Sequence, residues 1–487
     1  MMKIAFLVSE AVPYAKTGGL ADVAGALPKY LAHRGADVRL FMPLYREVRK
    51  KGLPLTMALD GVRIPMGGRE LVLSLWEHRG DGFRVYFVEN DEAFDRDALY
   101  GTPAGDYPDN GERFGLFAKA ALESMKRLGF APDVLHGHDW QSAAAFALLK
   151  YRYAADPFFA GTRSLFTIHN LAYQGLFDKA ILGSLDLPDS LFNMNDLEFY
   201  GKVSFLKAGI LYATAVSTVS PRYAREIQTP EFGCGLDGLL RSRAGVLHGI
   251  LNGVDYASWD PAVDHLIPAP FSAADISGKK TCRQGLLKTF GLAAGPEVPV
   301  IGMVSRLAGQ KGLDIVCAAL PELFALDLRL VILGTGDALI QDQLIEAQKA
   351  HPSRLGLRIA FDDKVARTIY AGSDLFLIPS RYEPCGLTQM YSLRYGTIPV
   401  VRATGGLDDS IEEFDPVAGA GNGFKFEEAA PAAMLGAIRK AMNTYRDRSS
   451  WTALVRNAMA GDFSWERAAG VYLDLYAAIA KGSGRPS

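Results

Sequence analysis

The chain has 487 residues, of which 49% are hydrophobic and 22% are charged, and its mean hydropathy is +0.06. We expect two large domains, because a single hydrophobic core stops growing near about 250–300 residues. The composition excludes disorder over most of the chain, since enough apolar surface is present to offset the loss of chain entropy. The net charge of −2 argues against nucleic acid as the main partner, which requires a clearly basic face.

The sequence does not suggest a disulfide framework, a zinc site or a membrane segment. The four cysteines are far apart and form no C-x-x-C pair. The apolar run from Ile4 to Val8 is too short for a signal peptide, and Glu10 interrupts it. No uncharged apolar stretch reaches about 18 residues, the length of a membrane span. We therefore expect a cytoplasmic enzyme or binding protein with no membrane partner.

The first half of the chain has the pattern of a doubly wound α/β domain. A buried strand at 4–8 is followed by a Gly-rich turn and by a helix with apolar residues at helical spacing from Leu20 to Leu31. Pro28 lies inside this helix and should kink it. A strand at 38–42 completes a βαβ unit. Further strands are predicted at 83–88, 134–136, 164–168 and 213–219.

The same order of elements restarts near Val298 in the second half. Strands are predicted at 299–304, 328–333, 358–360, 374–378 and 398–401. The intervening segment Asn252–Ser277 is rich in Pro, Asp and Ser, which favours a junction there. We therefore predict an N-terminal Rossmann-like domain at 1–252, a linker at 253–277 and a C-terminal Rossmann-like domain at 278–464. A final helix is predicted over 465–480.

Two turns share the pattern T-G-G-L-x-D, one at Thr17–Asp22 and one at Thr404–Asp409. Either both halves need a tight turn between a strand and a helix, or both turns face one cleft from strand carboxyl ends, where ligands of open α/β sheets bind. In the first turn, Gly18 and Gly19 would let the backbone approach an anion, and Lys16 adds a charge beside the helix N-terminus. A purely structural turn is the alternative.

Charged residues follow two predicted strands of the second half. Arg306 and Lys311 are five positions apart in a loop with glycines, which can bend both cations towards one diphosphate. Two solvated surface cations are the alternative. Glu383 follows a fully apolar strand, and the next residues, Gly386–Thr388, would open a helix and offer backbone N–H groups.

Two patterns that suggest a cofactor are incomplete. We expect His136 and His138 to point to opposite faces of their strand, so that they do not share a metal, and buried structural histidines are the alternative for both. The segment Gly334–Gly336 is similar to the start of a dinucleotide fingerprint, but Leu339 stands at its third glycine position. A nicotinamide-dependent dehydrogenase is therefore disfavoured.

Polar and aromatic residues occur together after two strands of the first half. Asp139 precedes Trp140, and His169 with Asn170 lies close in sequence to Tyr173. Sugar hydroxyls need hydrogen-bond donors and acceptors, and the C–H face of the ring packs on an aromatic surface. These residues favour a sugar-binding site.

Taken in order, these segments resemble bacterial glycogen synthases and plant starch synthases. The matching segments are Lys16–Val23, His138–Trp140, Thr167–Gly175, Ser204–Gly209, Leu251–Asp255, Ser305–Gly312, Pro379–Gln389 and Asp462–Trp465. The resemblance implies a GT-B fold, in which two Rossmann-like domains face each other across a deep cleft and the final helix returns to the N-terminal domain. It also implies retaining transfer of glucose from ADP-glucose to the non-reducing end of an α-1,4-glucan such as glycogen, with no metal and no other cofactor.

The resemblance further implies a role for each candidate site residue. Lys16, Gly18 and Gly19 would contact the sugar nucleotide; Arg306 and Lys311 would neutralise its diphosphate; the amides of Gly386, Leu387 and Thr388 would hold the distal phosphate. Glu383 would bind glucose hydroxyls, His169 would lie near the anomeric carbon, Asp139, Asn170 and Asn252 would position the acceptor or contact sugar, and Phe361 would stack on adenine.

One position departs from related retaining enzymes. Many carry a second Glu eight residues after the first, whereas Tyr391 stands eight residues after Glu383. No catalytic nucleophile is therefore assigned, and we expect front-face attack, in which the departing phosphate oxygen takes the proton of the acceptor hydroxyl.

Three alternatives differ in what they require of the sequence. A related transferase could use UDP-glucose or a small-sugar acceptor; the matching motifs favour the glucan enzyme, but the choice between ADP-glucose and UDP-glucose rests on the resemblance alone. A non-catalytic glucan-binding protein would be expected to lack Lys16, Arg306, Lys311 or Glu383, and all four are present. The dehydrogenase requires the glycine that Leu339 replaces.

Overall fold

The computed structural model describes residues 1–102 and 104–482 as two compact units. Of these described residues, unit 1 contains those within 1–219, 224–250 and 465–482, and unit 2 contains 220–223 and 251–464. The segment 253–277 lies within unit 2 instead of forming a separate linker. Ile267 and Phe271 are buried in the core of that unit, and Asp264 forms an ion pair of 3.0 Å with Arg367.

Strands of unit 1 are β1 Lys3–Leu7, β2 Asp37–Pro43, β3 Thr56–Met66, β4 Arg69–Arg79, β5 Arg84–Glu89, β6 Gly101–Thr102, β7 Gly105–Asp106, β8 Val134–His138, β9 Arg163–Ile168, β10 Leu176–Phe177, β11 Glu198–Phe199, β12 Lys202–Ser204, β13 Ala215–Thr218 and β14 Leu247–Gly249. Those of unit 2 are β15 Val300–Val304, β16 Arg329–Gly334, β17 Leu355–Ile359, β18 Leu375–Ile378, β19 Ile398–Arg402 and β20 Phe424–Phe426.

Helices in the first part of the chain are α1 Gly19–His33, α2 Arg46–Lys50, α3 Asp91–Phe94, α4 Asn110–Arg127, α5 Asp139–Tyr151, α6 Ile181–Ser184, α7 Phe205–Tyr212, α8 Pro221–Glu226 and α9 Asp237–Ser242. They are followed by α10 Ser277–Phe290, α11 Leu313–Ala325, α12 Ala338–Ala350, α13 Asp363–Gly372, α14 Thr388–Arg394, α15 Gly405–Ser410, α16 Pro431–Arg446, α17 Arg448–Ala460 and α18 Trp465–Ala480. Short 3₁₀ turns lie at Pro157–Phe159, Asp189–Leu191, Ala244–Val246 and Gly309–Lys311. No helix in the described ranges is both long enough and apolar enough to cross a membrane.

The main sheet of unit 1 is doubly wound around β1. Its described strands run in the order β14-β13-β9-β8-β1-β2-β5-β4-β3, and the pairs from β14 to β5 are parallel. The residues from Ile4 to Val8 are fully buried, because helices cover both faces of such a sheet. The chain leaves β1 in one direction towards β2 and later returns to its other side as β8, so the order of the strands switches between β1 and β8.

The edge of this sheet is a hairpin that the sequence analysis did not predict. β3 and β4 are antiparallel and extend the sheet beyond β5. Their burial alternates along the strand, as at Val62, Ile64 and Met66, because one face of an antiparallel edge remains in solvent. Pro28, which was expected to kink the first helix, lies inside α1 without ending it.

The sheet of unit 2 is parallel throughout its described strands. They run in the order β17-β16-β15-β18-β19-β20, so the strand order switches between β15 and β18. Buried aliphatic residues such as Val300, Ile301, Leu375 and Leu377 occupy the central strands. This pattern places the loops that follow β15 and β18 at the same edge of the sheet, where open α/β sheets bind ligands.

Candidate active site

In unit 2, one cation and the carboxylate predicted from the sequence, Lys311 and Glu383, meet at the switch point of the sheet. The Lys311 Nζ lies 2.6 Å from Oε2 of Glu383, and the Ser380 hydroxyl donates to the same oxygen at 2.9 Å. The Lys311 and Glu383 side chains are only 20% and 10% exposed. Arg306 is exposed after β15 and donates to Gln310 at 3.0 Å. The edge of the sheet therefore presents an exposed guanidinium after β15 and a largely buried ammonium–carboxylate pair between the loops after β15 and β18.

The loops that carry Lys311 and Glu383 are held together by their backbones. The Arg381 N–H donates to the Gln310 carbonyl at 2.9 Å. Gly312 has a φ of 72°, and a Cβ there would lie 2.0 Å from the Pro379 carbonyl oxygen. A residue without a side chain is thus required for this approach, which fixes the position of Lys311 beside the loop after β18.

The second T-G-G-L-x-D turn packs directly beneath Glu383. The Gly406 N–H donates to the carbonyls of Glu383 at 3.1 Å and of Pro384 at 3.2 Å. A Cβ on Gly405 would lie 2.0 Å from the Glu383 carbonyl oxygen, and one on Gly406 would lie 1.9 Å from that of Cys385. The glycines of this turn therefore allow a close backbone approach that positions the Glu383 loop.

The three residues expected to hold a phosphate lie at the start of α14. Gly386 has a φ of 70°, Leu387 is the N-cap residue, and Thr388 is the first residue of the helix. The Gln389 amide donates to the carbonyls of Cys385 at 3.0 Å and Gly386 at 2.8 Å, which holds this turn in place.

Asn252 is buried in unit 2 next to the thiol of Cys385. Its side-chain Oδ1 is buried and has no hydrogen-bond partner among residues 1–102 and 104–482. An unsatisfied amide oxygen of this kind suits a hydroxyl donor supplied by a ligand. Burial raises the pKa of Cys385 to about 12, so this thiol packs and is not a nucleophile at neutral pH.

Tyr391 and Phe361 have contrasting environments in unit 2. The Tyr391 ring stacks on Trp259 with 3.8 Å between centroids and 5° between planes, so the position where related enzymes carry a second Glu belongs to an aromatic cluster. Phe361 follows β17 and is 91% exposed. An exposed phenyl ring at the sheet edge is available for stacking on a planar ligand.

In unit 1, polar residues gather after the adjacent strands β1, β8 and β9. Asp139 begins α5 directly after β8, and its φ of 52° is a left-handed conformation that Asp tolerates better than most residues. Its Oδ1 accepts the His169 backbone N–H at 2.7 Å. Burial raises the Asp139 pKa to about 7, although hydrogen bonds from the His169 and Asn170 backbones oppose the shift. Asn170 is half-buried, and its side-chain oxygen accepts the Ala172 N–H at 3.1 Å.

Glu10 already occupies part of the turn predicted to bind an anion. Its Oε2 accepts the Thr17 N–H, the Thr17 hydroxyl at 2.9 Å and the Gly18 N–H at 3.3 Å. Burial raises the pKa of the Glu10 carboxyl, while these hydrogen bonds favour its ionised form. The Thr17 and Gly18 amides therefore hold an internal carboxylate, and contact of Gly18 and Gly19 with a sugar nucleotide stays a prediction.

Lys16 at the same turn is half exposed and bound to Asp22. Its Nζ lies 2.7 and 2.9 Å from the two carboxylate oxygens of Asp22. Burial raises the pKa of Asp22 by more than the charge and hydrogen bond of Lys16 lower it. Gly19 begins α1, and a Cβ built there meets nothing within 4 Å. The first T-G-G-L-x-D turn is thus open at its second glycine, whereas the second turn is closed by backbone.

The prediction that His136 and His138 point to opposite faces was wrong. Side chains alternate along a strand with a period of two, so residues two apart share a face. The ring centroids of His136 and His138 are 4.0 Å apart, and His138 Nδ1 lies 2.9 Å from Nε2 of His169. His136 bonds to Tyr476 at 2.7 Å and to Thr167 at 2.6 Å. Even so, no group of three or more His, Cys, Asp or Glu side chains in the described part of the chain is arranged to hold a metal ion.

Glu10 is the residue of this region that the sequence analysis missed. It was considered only as the charge that interrupts an apolar run. Its position just beyond the carboxyl end of the central strand β1 was the available signal, because ligand-binding residues of open α/β sheets occupy that edge.

Comparisons with known proteins identify the family of the chain. The sequence model of the starch synthase catalytic domain family matches residues 3–242, and that of glycosyl transferases group 1 matches residues 289–457. A glycogen synthase of Anaeromyxobacter dehalogenans is 50% identical over 482 residues, which cover 99% of this chain and 100% of that protein. A glycogen synthase of Syntrophotalea carbinolica is 48% identical and covers 98% of both chains.

Two solved structures extend the comparison. The catalytic domain of starch synthase IV from Arabidopsis thaliana, bound to ADP and acarbose, matches with a TM-score of 0.89, 34% identity and 99% coverage of both chains. Sucrose-phosphate synthase from Thermosynechococcus elongatus matches with a TM-score of 0.61 and 16% identity, which shows a common fold. The GT-B fold expected from the sequence is confirmed, and the chain belongs to the family of glycogen synthases and starch synthases.

Proposed function

We propose that this chain is a retaining glucosyltransferase that transfers glucose from ADP-glucose to the non-reducing end of an α-1,4-glucan. The observation that carries the proposal is the Lys311–Glu383 pair beside Arg306 at the switch point of unit 2. A sugar nucleotide requires cations for its diphosphate and a carboxylate for its sugar hydroxyls, and this edge offers both. Membership of the family supports glucan synthesis, and its relatives carry the name glycogen synthase.

The donor would be held mainly by unit 2. Arg306 and Lys311 would neutralise the diphosphate, and the amides of Gly386, Leu387 and Thr388 would hold its distal phosphate. Phe361 would stack on the adenine, because its ring is 91% exposed and accessible to a ligand. Because cations and amides supply the positive charge, we expect transfer to proceed without a metal or another cofactor.

Glu383 would bind the glucose unit and not attack it. Both of its short contacts, to Lys311 and to Ser380, fall on Oε2, so Oε1 would accept the sugar hydroxyls. A carboxylate that accepts from an ammonium and a hydroxyl is a weak nucleophile, because its charge is shared between both oxygens and those donors stabilise it. Buried Asn252 would donate to or accept from the sugar through its amide.

The residues of unit 1 would act on the sugar and the acceptor. His169 would lie near the anomeric carbon, and Asp139 with Asn170 would position the acceptor. Lys16 would contact the sugar nucleotide after exchanging Asp22 for phosphate, and open Gly19 would admit the ligand to the turn. Glu10 leaves the Thr17 and Gly18 amides less available than the sequence suggested.

The proposed chemical step is a front-face displacement. The bond from the anomeric carbon to the diphosphate oxygen breaks, and a bond from that carbon to the acceptor oxygen forms on the same face. The acceptor proton passes to the departing phosphate oxygen. Arg306 and Lys311 would stabilise the charge that develops there, and one such preorganised donor lowers the barrier by about 3–4 kcal/mol. Mass-spectrometric detection of a glucosyl adduct on Glu383 or Asp139 would contradict this step.

The proposal is tested by mixing the purified protein with radiolabelled ADP-glucose, a glycogen primer and excess EDTA. We expect label in the ethanol-insoluble polymer, and a parallel reaction with UDP-glucose measures the nucleotide preference. Lys311→Ala should lower kcat by about 10²–10³-fold. Lys349→Ala is the matched control, because it removes a Lys–Glu pair of 2.7 Å on the exposed face of α12 and should behave as the unsubstituted protein.

A folded protein that incorporates no label from ADP-glucose would refute the proposed donor or acceptor. Incorporation that requires a metal would refute the role given to the cations. The cytoplasmic location and the absence of a nucleic-acid partner stay predictions from the sequence.

A further inference from the structure

Two histidines of unit 1 share a hydrogen bond whose direction is decided by their surroundings. His138 is the last residue of β8, and His169 follows the neighbouring strand β9. The distance between His138 Nδ1 and His169 Nε2 is 2.9 Å. Such a bond requires that one nitrogen carries the proton and the other presents a lone pair.

Both rings are neutral at pH 7. Burial lowers the pKa of His138 well below 6.5, and it lowers that of His169 to about 3. A neutral imidazole has one N–H, so two arrangements are possible. Either His138 donates from Nδ1 and His169 carries its proton on Nδ1, or His169 donates from Nε2 and His138 carries its proton on Nε2.

The second ring nitrogen of His138 separates these arrangements. Nε2 of His138 is buried and has no hydrogen-bond partner within residues 1–102 and 104–482. The Phe6 ring stacks on the His138 ring, with 5.4 Å between centroids and 19° between planes, and the centroid of the His136 ring lies 4.0 Å from that of His138. Donation by His169 would place a buried N–H there without an acceptor, whereas donation by His138 leaves only a bare lone pair. Buried N–H groups without partners are the rarer of the two in folded proteins.

We propose that His138 is a positioning residue that donates from Nδ1 to Nε2 of His169 and so fixes His169 as its Nδ1–H tautomer. His169 is partly exposed to solvent, so its Nδ1–H is the donor that the ring offers to an oxygen of bound sugar. The Asp139 carboxylate accepts the His169 backbone N–H at 2.7 Å and fixes the main chain from which the ring extends. The part of this inference that concerns sugar rests on the proposed function.

The tautomer is measured directly by NMR on the full chain with ¹⁵N-labelled histidine. Correlations between ring nitrogens and carbon-bound ring protons distinguish Nδ1–H from Nε2–H, and spectra of His169→Gln and His138→Phe assign the two rings. We expect the neutral Nδ1–H form for both His138 and His169 at pH 7. An Nε2–H form of His169 in the unsubstituted protein would overturn the proposal, and this reading requires no variant to be active.

Two substitutions of His138 then separate positioning from packing. His138→Asn retains an N–H donor near the place of Nδ1. Both kcat and the tautomer of His169 should therefore stay as they are in the unsubstituted protein. His138→Phe retains a ring against Phe6 but cannot donate, so His169 should populate both tautomers and kcat should fall about 10²-fold, the effect of losing one preorganised donor. Unchanged kcat and an unchanged His169 tautomer in folded His138→Phe would refute the role of His138.

The test separates this inference from the proposed function. If the unsubstituted protein transfers no glucose, the proposed function fails while the tautomer of His169 is still measured. If glucose is transferred but His169 carries its proton on Nε2, only the inference about His138 fails.

Discussion

The two T-G-G-L-x-D turns have the same sequence pattern but different demands on their glycines, and a matched pair of substitutions separates them. In Gly406→Ala, the new Cβ would lie 1.9 Å from the Cys385 carbonyl oxygen, which is backbone and cannot rotate away. In Gly19→Ala, the new Cβ meets nothing within 4 Å. Each change adds one methyl group at the start of a helix that follows a strand.

The expected cost of Gly406→Ala follows from the contacts that must move. Overpacking of a well-packed site costs typically about 1–3 kcal/mol. The displaced backbone also weakens the hydrogen bonds from the Gly406 N–H to Glu383 and Pro384, and each such bond contributes about 1 kcal/mol. We therefore expect a loss of about 3 kcal/mol, which lowers the melting midpoint of a unit of this size by about 6–12 °C. Gly19→Ala should stabilise α1 by up to about 1 kcal/mol, because alanine favours a helix more than glycine does.

Differential scanning calorimetry measures the midpoints, and it resolves units that do not unfold together. Hydrogen exchange of the peptide 379–389 should rise in Gly406→Ala and stay unchanged in Gly19→Ala, because the clash is with the Glu383 loop. Activity should fall in Gly406→Ala through displacement of Glu383, and in Gly19→Ala only if the ligand approaches that turn. A Gly406→Ala protein with the midpoint and exchange of the unsubstituted chain would refute the reasoning.

Three further predictions concern charge and hydrogen bonding. Glu383→Gln should retain the fold but raise KM for the donor and lower kcat, because its amide is a weaker acceptor than a carboxylate; unchanged steady-state constants would contradict a sugar-binding role. Asp139 has its folded-state pKa raised to about 7, so its contribution to stability is present at low pH and is lost as pH rises from about 4 to 7, with a slope of up to about 1.4 kcal/mol per pH unit. Urea unfolding should show this slope, and Asp139→Asn should reduce it. Tyr476→Phe should cost about 1–3 kcal/mol, because buried His136 loses its partner at 2.7 Å, whereas Tyr200→Phe at an 83% exposed site should cost almost nothing in the same titration.

Most of the βαβ pattern could be predicted because it depends on residues that are close together in the sequence. Buried parallel strands such as 4–8 and 375–378 are continuous apolar runs, and the helices show apolar residues at their own period. The hairpin of β3 and β4 was missed because β3 alternates only in its second half, from Val62 to Met66, and its first half includes the exposed residues around Asp60. Its place at the sheet edge depends on pairing between β4 and β5, and residues close together in the sequence do not predict that pairing.

Within the candidate site, residue types could be predicted better than partners. Glu383 and Lys311 were selected because each follows a strand, yet they are 72 residues apart in sequence, and only the adjacency of β15 and β18 brings them to 2.6 Å. The anion at the first Gly turn was expected from a ligand, and the structure supplies it from Glu10. Short-range patterns identify a turn that can bind an anion, but not which anion reaches it.

The sequence by itself determined that the chain forms doubly wound α/β units and that Arg306, Lys311 and Glu383 lie in loops that follow strands, because strand and helix periods are properties of neighbouring residues. Only the tertiary structure decided that His138 and His169 lie within hydrogen-bonding distance, that Glu10 accepts the Thr17 and Gly18 N–H groups and that Gly406 touches the Glu383 loop. The first and third contacts join segments that end or follow different strands, and the order in which strands pair is set by the packing of the whole sheet. The Glu10 contact depends on how the connection between β1 and α1 folds back on itself.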